Sequence, residues 1–222
     1  MKHNYFWALL VLITLAIPLG ASSTLALAEN PLAPIPITDS PAPPSGFGTG
    51  LVQLAAIPSL EQFAAALNTS NPNVVAGAYS PDLFALRVVQ QVLNNPAYVS
   101  PMNGVVTQFG IATQYGTVGL LAHNYLAGAY FSKLSLGQEI DIVNGDGAIR
   151  RYAIANIRRF QALDPSSPYS NFIDFNSGGA QLSSTELFNQ MYAGGNKVVL
   201  QTCIYANGNW SWGRLFVTAT PQ

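Results

Sequence analysis

The sequence predicts a mostly-β domain, a small closed barrel with short helices, and three observations carry that expectation. From residue 105 onward, short β-branched and aromatic runs recur between turn residues at close spacing. One capped helix signal interrupts them. Hydrophobic residues make up 49% of the 222 positions and charged residues 9%, which is ample material for one core and far below the ~25% charge of ordinary soluble domains.

The chain opens on Lys2 and His3, then an uncharged apolar run over 6–19, then small residues ending in Ala26-Leu27-Ala28 before Glu29. This is the layout of a secretory signal, with an uncleaved membrane anchor over the same 1–28 as the other reading. Lys2 is the only Lys or Arg before Arg87, so the positive-inside bias sends the rest of the chain out of the cytoplasm. Residues 29–49 form a Pro-rich linker, with six prolines between 31 and 46, a composition that favours extended, semi-rigid chain.

Residues 50–104 are expected to be a helical extension packed on the domain. Apolar residues at 60, 63, 64 and 67 follow helical spacing behind Ser59. A second helix is expected over 80–94, with Ser80-Pro81-Asp82 as its cap and Phe84, Ala85, Val88, Val89 and Val92 on one side.

Residues 105–222 are the expected barrel. Its strands are placed at 105–109, 111–115, 117–122, 139–143, 152–160, 198–202 and 215–218, and Asn144-Gly145-Asp146-Gly147 reads as a hairpin turn. Ser183-Ser184-Thr185-Glu186 is a capping box that starts the interrupting helix.

Several function classes are excluded at once. A formal net charge of −1 provides no strongly basic face for nucleic acid. One cysteine rules out an intramolecular disulfide or a multi-cysteine zinc site. Asp141 and Asp146 are too sparse a carboxylate set for calcium. No metal or cofactor is expected. Arg150, Arg151, Arg158 and Arg159 bracket one predicted strand and read as two solvated strand ends rather than an anionic-polymer site.

Beyond the leader the chain has one histidine, His123, and one cysteine, Cys203, each at the end of a predicted strand. Asn207-Gly208 is a turn signal, and Arg214 opens the next strand. If these two strands form an antiparallel hairpin, Cys203 and Arg214 sit at neighbouring rungs, with Cα atoms of facing residues about 4.5–5.5 Å apart. A nearby cation favours the thiolate, a histidine can protonate a departing amine, and an arginine can donate hydrogen bonds to a developing oxyanion. Together they suit acyl transfer through a thioester. A lone cysteine is more often buried and inert, yet an exported protein that keeps one free thiol asks for a reason.

These residues resemble the sortases, extracytoplasmic cysteine transpeptidases on a β-barrel whose signature is a TLxTC strand end with a histidine upstream and an arginine downstream. Leu200-Gln201-Thr202-Cys203, His123 and the Arg214-Leu215-Phe216-Val217 strand carry the likeness, which spans roughly residues 105–220, with Val199 where the motif has its first Thr. The resemblance implies that Cys203 attacks the carbonyl of a sorting-signal peptide, His123 protonates the leaving amine and Arg214 steadies the intermediate. An amine from a cell-wall precursor or a protein then resolves the thioester. The implied partners are a surface protein or pilin bearing the signal, the amine acceptor and the membrane; the implied location is the cell envelope. Thr202, Trp210 and Trp212 are expected to face the peptide, the two tryptophans either walling a groove or covering the barrel end. The competing readings are a sortase-fold peptidase releasing the acyl group to water and a non-catalytic secreted barrel with an incidental thiol. Papain-like enzymes place Cys before His, the reverse order, and Ile204-Tyr205 breaks a caspase-like string after Cys203.

Overall fold

A computed structural model of the chain describes residues 57–92 and 95–222. The expected signal or anchor at 1–28, the linker at 29–49 and the start of the extension at 50–56 lie outside the described residues.

Strand β1 (Asn71–Ser80) turns into β2 (Phe84–Gln90), and β3 (Val105–Gln108) and β4 (Thr117–Leu121) follow. Strands β5 (Glu139–Gly145) and β6 (Ile149–Ala162) form a second hairpin. Strands β7 (Phe172–Asp174) and β8 (Ala180–Leu182) are short, and β9 (Lys197–Ala206) and β10 (Asn209–Pro221) end the chain. Hydrogen bonding runs in the order β10-β9-β4-β3-β2-β1-β5-β6, and β6 pairs again with β10 to close the ring. The result is a closed barrel of eight strands, with β7 and β8 continuing outward from β6. Opposite Thr218 and Ala219 of β10, β6 steps from Asn156 to Ile154, so Ala155 is the extra residue of a β-bulge, a device that bends a strand where a barrel closes.

Two layers of apolar side chains hold the barrel. Leu86, Val106, Leu120, Ile140, Ile142, Leu200 and Val217 fill the interior. Helix α3 (Ser184–Tyr192) lays Leu187, Phe188, Met191 and Tyr192 on the outer face of β9 and β10, against Val199, Phe160 and Phe216. The predicted capping box of α3 forms: the Ser183 side chain accepts from the Glu186 N–H at 3.2 Å, and Glu186 Oε2 accepts from the Ser183 N–H at 2.8 Å.

The N-terminal region corrects the helical expectation for 50–104. Within it, only helix α1 (Leu60–Ala66) is a regular helix among the described residues. It is capped by Ser59 and Gln62 and seated where Phe63 and Leu67 close over Gly77 of β1. A β-carbon at Gly77 would lie 2.5 Å from Leu67 and 2.7 Å from Phe63, so the glycine is what admits the helix. Residues 80–90 are barrel, not helix. Ser80-Pro81-Asp82 makes the β1–β2 turn, with Asp82 at φ 58° and the Leu83 N–H donating to the Ser80 carbonyl at 3.2 Å. Phe84, Leu86 and Val88 then point inward at period two. That alternation coexists in the sequence with the helical spacing of 84, 85, 88 and 89, and pairing with β1 and β3 decides between them. The barrel therefore begins at Asn71 instead of 105. The strand expected at 111–115 is instead the helical turn α2 (Gly110–Thr113), which reverses the chain between antiparallel β3 and β4.

Candidate active site

Cys203 and Arg214 are direct partners in the antiparallel β9–β10 ladder. Both strand directions come from the Asn207-Gly208 turn, whose residues take φ 51° and 74°, the left-handed pair that a tight hairpin needs. Along β9, Val198 and Leu200 belong to the interior, whereas Val199 and Cys203 belong to the outer cluster under α3. The thiol therefore lies on the outer face, 5% exposed.

Arg214 is completely buried. Its Nη1 donates to the carbonyls of Ser211 at 2.8 Å and Gly213 at 2.9 Å. Among the described residues, its Nε and Nη2 have no hydrogen-bond partner. Burial lowers the Arg214 pKa from the ordinary arginine value, and attraction to a Cys203 thiolate opposes that shift. A buried cation with unspent donors beside a sulfur is costly for stability and is the arrangement an oxyanion would satisfy.

His123 reaches the same end of the sheet through a different strand. Strands β4 and β9 run parallel and pair Leu121 with Gln201. The Ala122 N–H donates to the Gln201 carbonyl at 3.2 Å, and the Thr202 hydroxyl donates to the Ala122 carbonyl at 2.8 Å. Two residues beyond the last rung, one strand reaches His123 and its neighbour reaches Cys203. The His123 carbonyl accepts the N–H groups of Leu126 and Gly128, each at 3.0 Å, which starts the 3-10 turn Ala127–Lys133. The imidazole stacks on Tyr125 with centroids 5.2 Å apart and an interplanar angle of 23°. Desolvation lowers its pKa below 6.5, against an opposing hydrogen bond to the backbone of Val99. The ring is thus mainly neutral at pH 7.

A cleft of about 230 Å³ opens beside the thiol. Cys203, Thr202 and Trp210 line it, together with Gly128, Asn124 and Arg159. Gly128 is required there: a β-carbon would lie 2.2 Å from Thr202 Oγ1 and 2.7 Å from the His123 carbonyl oxygen. The two tryptophans separate. Trp210, 48% exposed, packs with Tyr205 at 4.6 Å and Tyr125 at 5.7 Å, and its carbonyl accepts from Asn124 Nδ2 at 3.0 Å. Trp212 stacks on Phe175 at 5.8 Å. A register shift between Asn209 and Gly213 breaks the simple alternation that would keep them on one side.

The sequence reading missed Asn124, Tyr125, Gly128, Tyr205 and Arg159. Tyr125 and Tyr205 lie within two residues of His123 and Cys203, and that proximity was the available signal. Gly128 and Arg159 carried none, because only the turn and the barrel closure bring them to the cleft.

Among the described residues, no cluster of three or more His, Cys, Asp or Glu is placed to hold a metal, and no helix is long and apolar enough to cross a membrane.

The barrel is similar to that of the sortases. Sortase A of Listeria monocytogenes is 12% identical, with a TM-score of 0.42 over 68% of this chain and 88% of its own. Sortase E1 of Streptomyces coelicolor, solved with a tripeptide in its active site, is 16% identical, with a TM-score of 0.43 over 70% and 90%. Sortase C-1 of Actinomyces oris is 16% identical, with a TM-score of 0.43 over 72% and 81%. No family model and no curated protein matches the chain.

Proposed function

We propose that the chain is a sortase-like cysteine transpeptidase of the cell envelope. It cleaves a sorting-signal peptide through a thioester on Cys203 and transfers the acyl group to an amine. The observation that carries the reading is the pairing of Cys203 with a wholly buried Arg214 whose Nε and Nη2 have no hydrogen-bond partner among the described residues. The sulfur-arginine pairing, the histidine arriving on the adjacent strand and the Leu-x-Thr-Cys motif support it together.

Neutral His123 takes the Cys203 proton as sulfur attacks the peptide carbonyl. The carbonyl oxygen gains negative charge and meets the Arg214 donors. The tetrahedral intermediate collapses as the C–N bond breaks, and imidazolium returns the proton to the leaving amine. An incoming amine then attacks the thioester and gives a proton to His123, which hands it to the departing sulfur. The new amide leaves, with thiol and neutral imidazole restored. Thr202 and Trp210, which line the cleft, contribute to peptide binding in this reading, and Trp212, stacked on Phe175 outside that lining, does not. The substrates are a surface protein or pilin carrying the sorting signal and a cell-wall or protein amine. The 1–28 segment exports the chain or anchors it to the membrane.

The test is intact-mass trapping against a panel of LPxTG-like peptides, with and without triglycine. A peptide-sized adduct lost on substituting Cys203→Ala, and released by triglycine as a new amide, is expected. Turnover that persists in the Cys203→Ala protein ends the proposal, as does a full panel giving neither adduct nor product. Release at the same rate without triglycine assigns the peptidase reading.

A further inference from the structure

Of the four arginines carried by β6, three are matched. Arg150 donates to Asn144 Oδ1 at 3.2 Å. Arg151 pairs with Glu139 at 3.0 Å and with Asp141 at 3.2 Å. Arg158 pairs with buried Asp174 and donates to Gln190 Oε1 at 2.9 Å. Arg159 is different. It is exposed, and among the described residues its guanidinium makes no ion pair or hydrogen bond.

This unmatched cation lines the same cleft as Cys203 and is the only charged residue among those lining it. In the ladder Arg159 shares a rung, and so a face, with Leu215 and Thr202, whereas Cys203 is one rung on with its side chain on the other face; the cleft lining is what brings the two residues together. Two strand spacings of about 4.8 Å separate Arg159 from the strand bearing the thiol. An extended peptide advances about 3.3 Å per residue, so a side chain within about three residues of the reacting carbonyl comes level with the guanidinium. A carboxylate is the group that a free planar guanidinium recognises best.

We infer that Arg159 makes this cleft select peptides with an acidic side chain within about three residues of the carbonyl that Cys203 attacks. The inference rests on the transpeptidase reading, and it makes Arg159 a specificity-determining residue that takes no part in the bond changes.

The experiment scans Glu, Gln and Lys through the three positions on each side of the scissile bond and compares kcat/KM. The wild-type enzyme is expected to favour Glu over Lys by about tenfold at one position, the product of an attraction and a repulsion of about threefold each, within the range for exposed pairs. The ratio falls toward one with rising salt, collapses in Arg159→Ala and reverses in Arg159→Glu. A merely structural role for Arg159 would lower all three peptides together and leave the ratio in place. Turnover with equal Glu and Lys rates at all positions overturns the inference and leaves the transpeptidase reading intact. Absence of turnover with any peptide removes the transpeptidase reading, and this inference with it.

Discussion

Cys203 faces Arg214 across the β9–β10 ladder, and in its fully buried site the arginine keeps two nitrogens, Nε and Nη2, without partners among the described residues. Packing alone does not favour such a residue, since an apolar side chain of similar volume would avoid the desolvation of a guanidinium. In the proposed mechanism the oxyanion takes up those donors.

Replacing Arg214 with Met should therefore separate stability from activity. Thermal unfolding is expected at an unchanged or higher midpoint, because a buried charge with unmet donors is removed. Acyl-enzyme formation should fall by about 10²–10³-fold. A calorimetric scan together with the rate of peptide-adduct formation checks both. An Arg214→Met protein as active as wild type would remove the oxyanion role.

The acid limb of the pH–rate profile reports His123. Desolvation lowers its pKa from 6.5, and the neutral ring accepts the thiol proton, so activity should persist below pH 6.5 and fade only as the imidazole protonates. Measuring kcat/KM between about pH 4.5 and 8.5, a window of roughly two units on either side of the ordinary 6.5, locates the limb. An acid midpoint above 6.5 contradicts the assignment.

Gly128 spaces the 3-10 turn from β9. The alanine variant pushes a methyl into Thr202 Oγ1 and the His123 carbonyl, which should cost about 1–3 kcal/mol and widen the gap between the β4 and β9 ends. A lowered urea midpoint with a lowered kcat/KM is expected; an unchanged midpoint would show that the turn relaxes freely.

Asp174 provides a stability test away from the cleft. Burial raises its pKa, but hydrogen bonds from Ser177, the Asn176 N–H and Arg158, with the charge of Arg158, outweigh that and leave it below 3.8. The group therefore contributes stability in full above pH 3.8, and that contribution is lost as pH falls through its lower folded value. Removing the partner in Arg158→Ala should destabilise the fold by about 3 kcal/mol, since it strands a buried carboxylate. Urea unfolding at pH 7 and pH 3 should show the loss at the higher pH, shrinking at the lower.

Much of the barrel was readable because its later strands alternate cleanly between turn residues, and because Asn207-Gly208 specifies a hairpin. The turn and the register shift between Asn209 and Gly213 together bring Cys203 opposite Arg214, whereas a regular ladder from that turn would pair Cys203 with Trp212. The region 80–90 was not readable: Phe84, Leu86 and Val88 satisfy period two while Phe84, Ala85, Val88 and Val89 satisfy the helical period. Local spacing provides no vote between them until β1 and β3 supply partners.

By itself, then, the sequence determined the local devices: the α3 capping box, the hairpin turns, and the order of histidine, cysteine and arginine along the chain. Tertiary structure alone decided that β4 runs parallel to β9 and carries His123 to the level of Cys203. It also decided that β6 closes on β10 and delivers Arg159 to the cleft. The reason is physical. Turns and caps are fixed by hydrogen bonds within a few residues, whereas parallel pairing and barrel closure join segments up to about eighty residues apart and depend on burying two faces of one sheet at once.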